Sequence, residues 1–194
     1  MAKEAEIVSQ INTNLISSQF SSKRFQKGRI NGIAELITKV DGDQRQTMPG
    51  AVDNNGTVTN LSIDDKYPFE IYHRHLSSTF SEPEQDFGDF MLRVETAQML
   101  LVVMGDRSRL KLTPEEIITG IRLGLSLELG SAFLVTNSLD GAFITPGEVN
   151  LNKEDIWNSE YNTSEVKVKP ETILLTVAYA IETKTKFNCV SICT

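Results

Sequence analysis

Cysteine is nearly absent from this 194-residue chain. The two present, Cys189 and Cys193, stand together near the C-terminal end, where a bridge would close a trivial loop and tie down nothing else. Their spacing is neither the redox Cys-x-x-Cys nor part of a larger ligand set for zinc, so they read as reduced thiols of a protein made in a cytoplasm. Long apolar runs are also missing. The longest, Met99 to Met104, has six residues against the roughly 18 or more of a membrane-spanning helix, so a soluble protein without a membrane partner is expected. The first twenty residues carry charge from the third position, with no basic segment followed by an apolar one, so no export signal is visible. Positive charge is the minority: 19 basic against 26 acidic residues give a formal net charge of −7. That balance argues against a broad basic footprint for duplex nucleic acid.

What is present is an ordinary globular mixture, 40% hydrophobic and 23% charged, which excludes a wholly disordered, collagenous or coiled-coil chain. Residues 1–194 are expected to form one α+β domain. Ile7, Val8, Ile11 and Leu15 make the stripe of a short amphipathic helix over Glu4 to Leu15. Gly32 to Val40 reads as a strand stopped by Asp41-Gly42-Asp43, and Met48 to Asp65 as irregular β structure around the turn signal Asn54-Asn55-Gly56. Tyr67 to Phe80 and Phe87 to Met104 are long β-rich runs joined by a polar connector containing Pro83, which predicts a long hairpin over about 67–104. A strand of 15 residues reaches on the order of 50 Å, so either a bulge bends it or its polar-alternating half projects beyond the core as an arm.

Thr113-Pro114-Glu115-Glu116 predicts a helix start, with Thr113 as cap, Pro114 at the first helical position and Glu116 completing a capping box. The stripe Ile117, Ile118, Ile121, Leu125 and Leu129 then runs to a terminator at Gly130, and Gly120 and Gly124 leave a groove expected to pack on the protein's own sheet. From Thr172 to Cys189, Ile173, Leu175, Val177, Tyr179, Ile181 and Phe187 alternate with polar residues including Glu182, Lys184 and Lys186, which predicts a long strand with one covered and one wet face. Strands in runs, not alternating with helices, indicate a mostly antiparallel sheet flanked by two helices, with the hairpin projecting.

Motifs for chemistry are sparse. The only histidines, His73 and His75, share one strand face about 7 Å apart, but the further ligands of a metal site are missing, and a surface or interface strand is the expectation. No Gly-x-Ser-x-Gly elbow accompanies them. Asp86-Phe87-Gly88 lacks the other kinase elements, and Gly120-x-x-x-Gly124 lacks the ending of a phosphate loop. The paired acids Asp41/Asp43, Asp64/Asp65, Glu82/Glu84 and Asp86/Asp89 lie in turn-like segments as solvated turn-formers. No catalytic residue, cofactor or metal is assigned, and the chain is not expected to be an enzyme.

One segment carries a likeness. Ile156-Trp157-Asn158-Ser159-Glu160-Tyr161-Asn162, then Lys169-Pro170 and the strand Glu171 to Phe187, resembles the C-terminal part of tail-terminator and neck proteins of tailed bacteriophages. In that family an aromatic-x-x-Glu-aromatic strand is followed by a proline and a long closing strand. The motif spans about 40 residues and the similar element order about 130; Met48 to Asp65 and the cysteine-bearing end have no counterpart. The resemblance implies a structural virion protein that closes into a homo-oligomeric ring, six- or twelve-fold, at the head–tail junction and joins portal or adaptor to tail. It implies assembly in the host cytoplasm, with genomic DNA passing the lumen without specific binding. The acidic balance suits such a lumen. The hairpin is expected to reach a neighbour, the N-terminal helix to dock across the seam, and Phe80, Phe87, Trp157, Glu160 and Tyr161 to lie at the interface. The alternative is a small cytosolic binding module, or another phage structural protein, without catalytic activity.

Overall fold

The computed structural model describes residues 2–17, 28–41, 44–52, 58–61, 67–81, 84–85, 90–106, 108–109, 112–126, 128–151 and 172–188. Within them, helix α1 (Ala2–Ser17) precedes strands β1 (Arg29–Asp41), β2 (Gln44–Val52), β3 (Val58–Asn60), β4 (Phe69–Phe80), β5 (Glu84–Gln85) and β6 (Phe90–Asp106). Helices α2 (Pro114–Leu125) and α3 (Ser131–Thr136) and strands β7 (Gly141–Leu151) and β8 (Thr172–Asn188) follow. The strands form one path in the order β3-β2-β1-β4-β6-β8-β7, with β5 attached to β6. Every pairing is antiparallel except β1 with β4, so the fold is the expected α+β class, a mostly antiparallel sheet flanked by helices.

β6 and β8 form the spine. They pair without a break from Phe90↔Asn188 to Asp106↔Thr172. At the inner end of that spine both faces are covered. On one face Ile71, Ala97, Met99, Leu101, Val103, Leu175, Val177, Tyr179 and Ile181 pack against Ile7, Val8, Ile11 and Leu15 of α1 and Ile117, Ile121 and Leu125 of α2. On the other, Tyr72, Leu100, Val102 and Leu174 meet Ala34, Ala51 and Leu61. β1 makes this second cover possible by changing partners along its length. Residues Arg29 to Ile33 run parallel to β4, whereas Ala34 to Asp41 leave it and pair with Ala51 to Gln44 of β2.

Several sequence expectations are corrected here. The expected wet face of β8 is dry at its inner end, because Leu174 and Thr176 are buried beneath the β1–β3 layer. The expected irregular segment, Met48 to Asp65, overlaps the second half of β2, which pairs regularly with β1 through eight consecutive residue pairs. α2 starts as expected: the Thr113 hydroxyl accepts from the Glu116 N–H at 3.2 Å and the Thr113 N–H donates to Glu116 Oε2 at 2.9 Å. It stops at Leu125 with Ser126 as C-cap, earlier than the apolar stripe implied, and Gly130 caps the start of α3 instead of ending α2. Gly120 and Gly124 are buried, and the neighbour at Gly124 is α1, not the sheet: a Cβ on Gly124 would stand 2.2 Å from Leu15 Cδ2. Asn14 Nδ2 donates to the Gly124 carbonyl at 2.9 Å across the same contact, satisfying a carbonyl near the end of α2. The apolar stripe of α1 is therefore spent inside its own chain, and is not held out for a neighbour.

The long hairpin is present as β4 and β6, but the bulge falls on β4, and β6, the strand for which a bulge or an arm was expected, runs unbroken against β8. A register shift between His75 and Ser77 bulges β4, and the strands still continue past the helix-covered region. The extension is wider than a two-stranded arm, because β8 accompanies β6 to its end and β7 flanks β8.

Candidate functional site

The polar chemistry of the described residues gathers in two places, and the first lies beneath α1. His73, expected at a surface or interface, is fully buried there. Asn12 Nδ2 donates to the Asn31 carbonyl at 3.0 Å, which turns its Oδ1 toward His73 Nε2 at 2.9 Å. Nε2 therefore carries the ring proton and donates it, and Nδ1 accepts from the Tyr179 hydroxyl at 2.7 Å. Burial holds the imidazole neutral, with its pKa lowered to about 3, and pushes the Tyr179 phenol well above its ordinary value, with Glu4 adding to that effect. The network is closed by protein partners. Both ring nitrogens are already committed, so this histidine has no lone pair to offer a metal and no vacant position for a substrate proton.

His75 lies on the same face, one pleat repeat further along. Its Nε2 lies 2.8 Å from Ser78 Oγ, and the Ser78 hydroxyl reaches Glu4 Oε1 at 3.4 Å. Serine, histidine and a carboxylate thus come together, but not as a nucleophilic triad. The carboxylate approaches the same nitrogen as the serine, with Glu4 Oε1 3.6 Å from His75 Nε2, whereas a triad needs it on the opposite nitrogen to orient the ring. The grouping instead joins the first turn of α1 to β4. Among the described residues no three of His, Cys, Asp and Glu come together as metal ligands. Across the sheet, Arg29 pairs with Glu70, whose side chain is fully buried, and so fastens the start of β1 to β4.

The second place is the outer end of the sheet. There the β1–β3 layer has already turned away, since the β1–β4 pairing ends at Ile33↔His73. Within the paired strands described, β4 from Ser77 to Phe80 is bordered on one side only, by β6. β7 is likewise bordered only by β8. Large apolar side chains stand in solvent along these two borders: Leu76 and Phe80 on β4, Phe143 and Leu151 on β7. Phe80 and Phe143 are each 54% exposed, and each ring carries a cation, the Arg93 guanidinium 4.3 Å and the Lys184 ammonium 5.0 Å from the ring centres. Lys184 also reaches Glu182 at 3.4 Å, and Lys186 reaches Asp140 at 3.3 Å. Between α1 and α3 an open groove of about 540 Å³ is lined by Ala5, Glu6, Ser9, Gln10 and Phe133 among others, a mixed surface without convergent polar groups.

Of the residues named from sequence as interface candidates, Phe80 lies on this outer border; Phe87, Trp157, Glu160 and Tyr161 lie outside the described residues, as do Cys189 and Cys193. His73 and His75 enter separate networks, His73 with Asn12 and Tyr179 and His75 with Ser78 and Glu4. Sequence reasoning missed β7 and therefore Phe143. The signal was the β-rich Ala142-Phe143-Ile144-Thr145; the Pro146-Gly147 that follows sits at a register shift between Pro146 and Val149 within one strand. No family model matches the chain, and no curated protein matches it.

Proposed function

We propose that the chain is a non-enzymatic structural subunit that closes into a ring at the head–tail junction of a tailed-phage particle, joining portal or adaptor to tail. The observation that carries this reading is the pair of unlike borders that the described strands leave at the outer end of the sheet, β4 on one side and β7 on the other. A ring needs a heterologous contact in which one surface of a subunit meets a different surface of the next, and two dissimilar strand borders supply such a pair. The resemblance of the 156–187 segment to tail-terminator and neck proteins points the same way. So does the engagement of both histidines with α1, His73 buried against Asn12 and His75 near Glu4. The net charge of −7 suits a lumen that DNA passes without adhering.

Mass measurement by light scattering at rising concentration, with negative-stain images of the same samples, tests the reading. Discrete closed rings are expected; a strict monomer with no ring at any concentration overturns it. The α1–α3 groove favours a second reading, a small binding module, and a pull-down that returns a host protein or small molecule in place of portal or tail-tube subunits would support that reading instead.

A further inference from the structure

We infer that the seam between copies runs along the outer residues of β4 and β7, joined head to tail so that the outer sheet of one subunit continues into the next. The inference rests on the ring reading and adds the location, polarity and register of the contact. Crossing the sheet by its residue pairs, Phe80 faces Glu95, Glu95 faces Thr183, and Thr183 faces Ala142. In the same way Ser77 leads through Gln98 and Ala180 to Thr145. The regular parts of the two borders, 77–80 and 141–145, therefore lie at one level, on opposite sides of a four-strand width.

Strand direction reinforces the match. β4 is antiparallel to β6, β6 to β8 and β8 to β7, so β7 runs opposite to β4. A second copy shifted sideways in the same orientation sets its β7 antiparallel to the first copy's β4, repeating the pairing already used throughout this half of the sheet. Residues at one level point to the same face, so Thr79 meets the next copy's Phe143, and Phe80 its Ala142.

Charge agrees at the outer end of the seam. Arg93, exposed above Phe80, makes no ion pair among the described residues, and the row through Arg93 and Thr185 leads to Asp140, which stands just before β7, is exposed and pairs with the exposed Lys186 at 3.3 Å. The sideways shift brings the acid of one copy to the border that carries the cation of the other. Beyond this stretch both borders lose regularity at nearly the same level, β4 through the shift at His75/Ser77 and β7 through the shift at Pro146/Val149. Such irregularities stop edge pairing, and they limit the seam to about five residues a side. A seam this short binds weakly as a single contact, and closure gives every subunit two of them.

Disulfide trapping tests the inference directly, with Cys189→Ser and Cys193→Ser as background. Ser77→Cys and Thr145→Cys both replace exposed residues, and within one chain the two positions lie three strand spacings apart, about 14 Å, too far to bridge. Mild oxidation of the double variant is expected to give a covalent ladder of dimers, trimers and higher species. Each single variant is expected to stay unlinked, and unchanged far-UV dichroism and melting temperature establish that all variants are folded. Dimers from either single variant, or no ladder from the double variant while light scattering still reports the parent oligomer, overturn the seam and leave the ring reading intact. A ladder without closed rings in negative stain upholds the seam and overturns the ring reading. A strictly monomeric parent with no ladder overturns both.

Discussion

The same two strands live in two environments. Between about 97–104 and 173–181, β6 and β8 are covered by α1 and α2 on one face and by the β1–β3 layer on the other, and most of their side chains are buried. Between 91–96 and 182–187 the ladder continues in unbroken register, yet only Thr183 is buried and the rest are half-buried or exposed. Hydrogen bonding is shared by the two halves; burial is not. The inner half therefore supplies most of the apolar burial that stabilises the fold, and the outer half is a surface built on top of it.

Three substitutions can break that contrast. The largest effect is expected at Leu101, fully buried in the inner half: Leu101→Ala should cost about 2–5 kcal/mol, read by urea unfolding, because a cavity opens in a packed layer. A cost under about 1 kcal/mol would mean that the inner half is not the main source of stability.

The second concerns acid. His73 is held neutral in the fold with a pKa of about 3, against 6.5 for the exposed side chain. Its folded value is the depressed one, so the unfolded chain takes up the proton first as pH falls. The contribution of this group is complete above about pH 6.5 and is lost progressively as pH drops from there toward 3, at a slope approaching 1.4 kcal/mol per pH unit. His73→Gln should be less stable at pH 8, by about 1–3 kcal/mol from the loss of a buried hydrogen bond, and should show a stability profile flatter by about one proton between pH 6 and 4. An unchanged slope would place the acid sensitivity elsewhere.

The smallest effect on folding is expected at the outer border. Phe80→Asp should change the unfolding free energy by no more than about 0.5 kcal/mol, as surface changes usually do. It should nevertheless shift the oligomer toward monomer in light scattering at equal concentration. Unfolding of that variant would show that the outer half belongs to the core, and would erase the distinction between the two halves.

How much was legible in advance follows the range of the interactions. The capping box at Thr113 and Glu116 was readable because its partners lie three residues apart. The long strands and the α1 stripe were readable because their periods are local. The burial of His73 was not, since its partners Asn12 and Tyr179 lie 61 and 106 positions away in the chain. An isolated His-x-His looks the same on a wet strand and on a dry one. Phe143 was missed for a related reason: Pro146-Gly147 breaks the alternation in sequence, yet the neighbouring β8 holds the strand together across the shift.

By itself the sequence determined the α+β class, the order of α1, β1, β4, β6, α2 and β8, the cap that starts α2 and the scarcity of catalytic motifs, since each follows from composition or from contacts within a few residues. Only the tertiary structure decided that both faces of the inner spine are covered, that both histidines fasten α1 to the sheet, and that among the described strands β4 and β7 are the two borders of the outer half. Those facts depend on which distant segments meet. β1 can leave β4 at Ile33 only because Ala34 and Ala51 find buried places across the sheet.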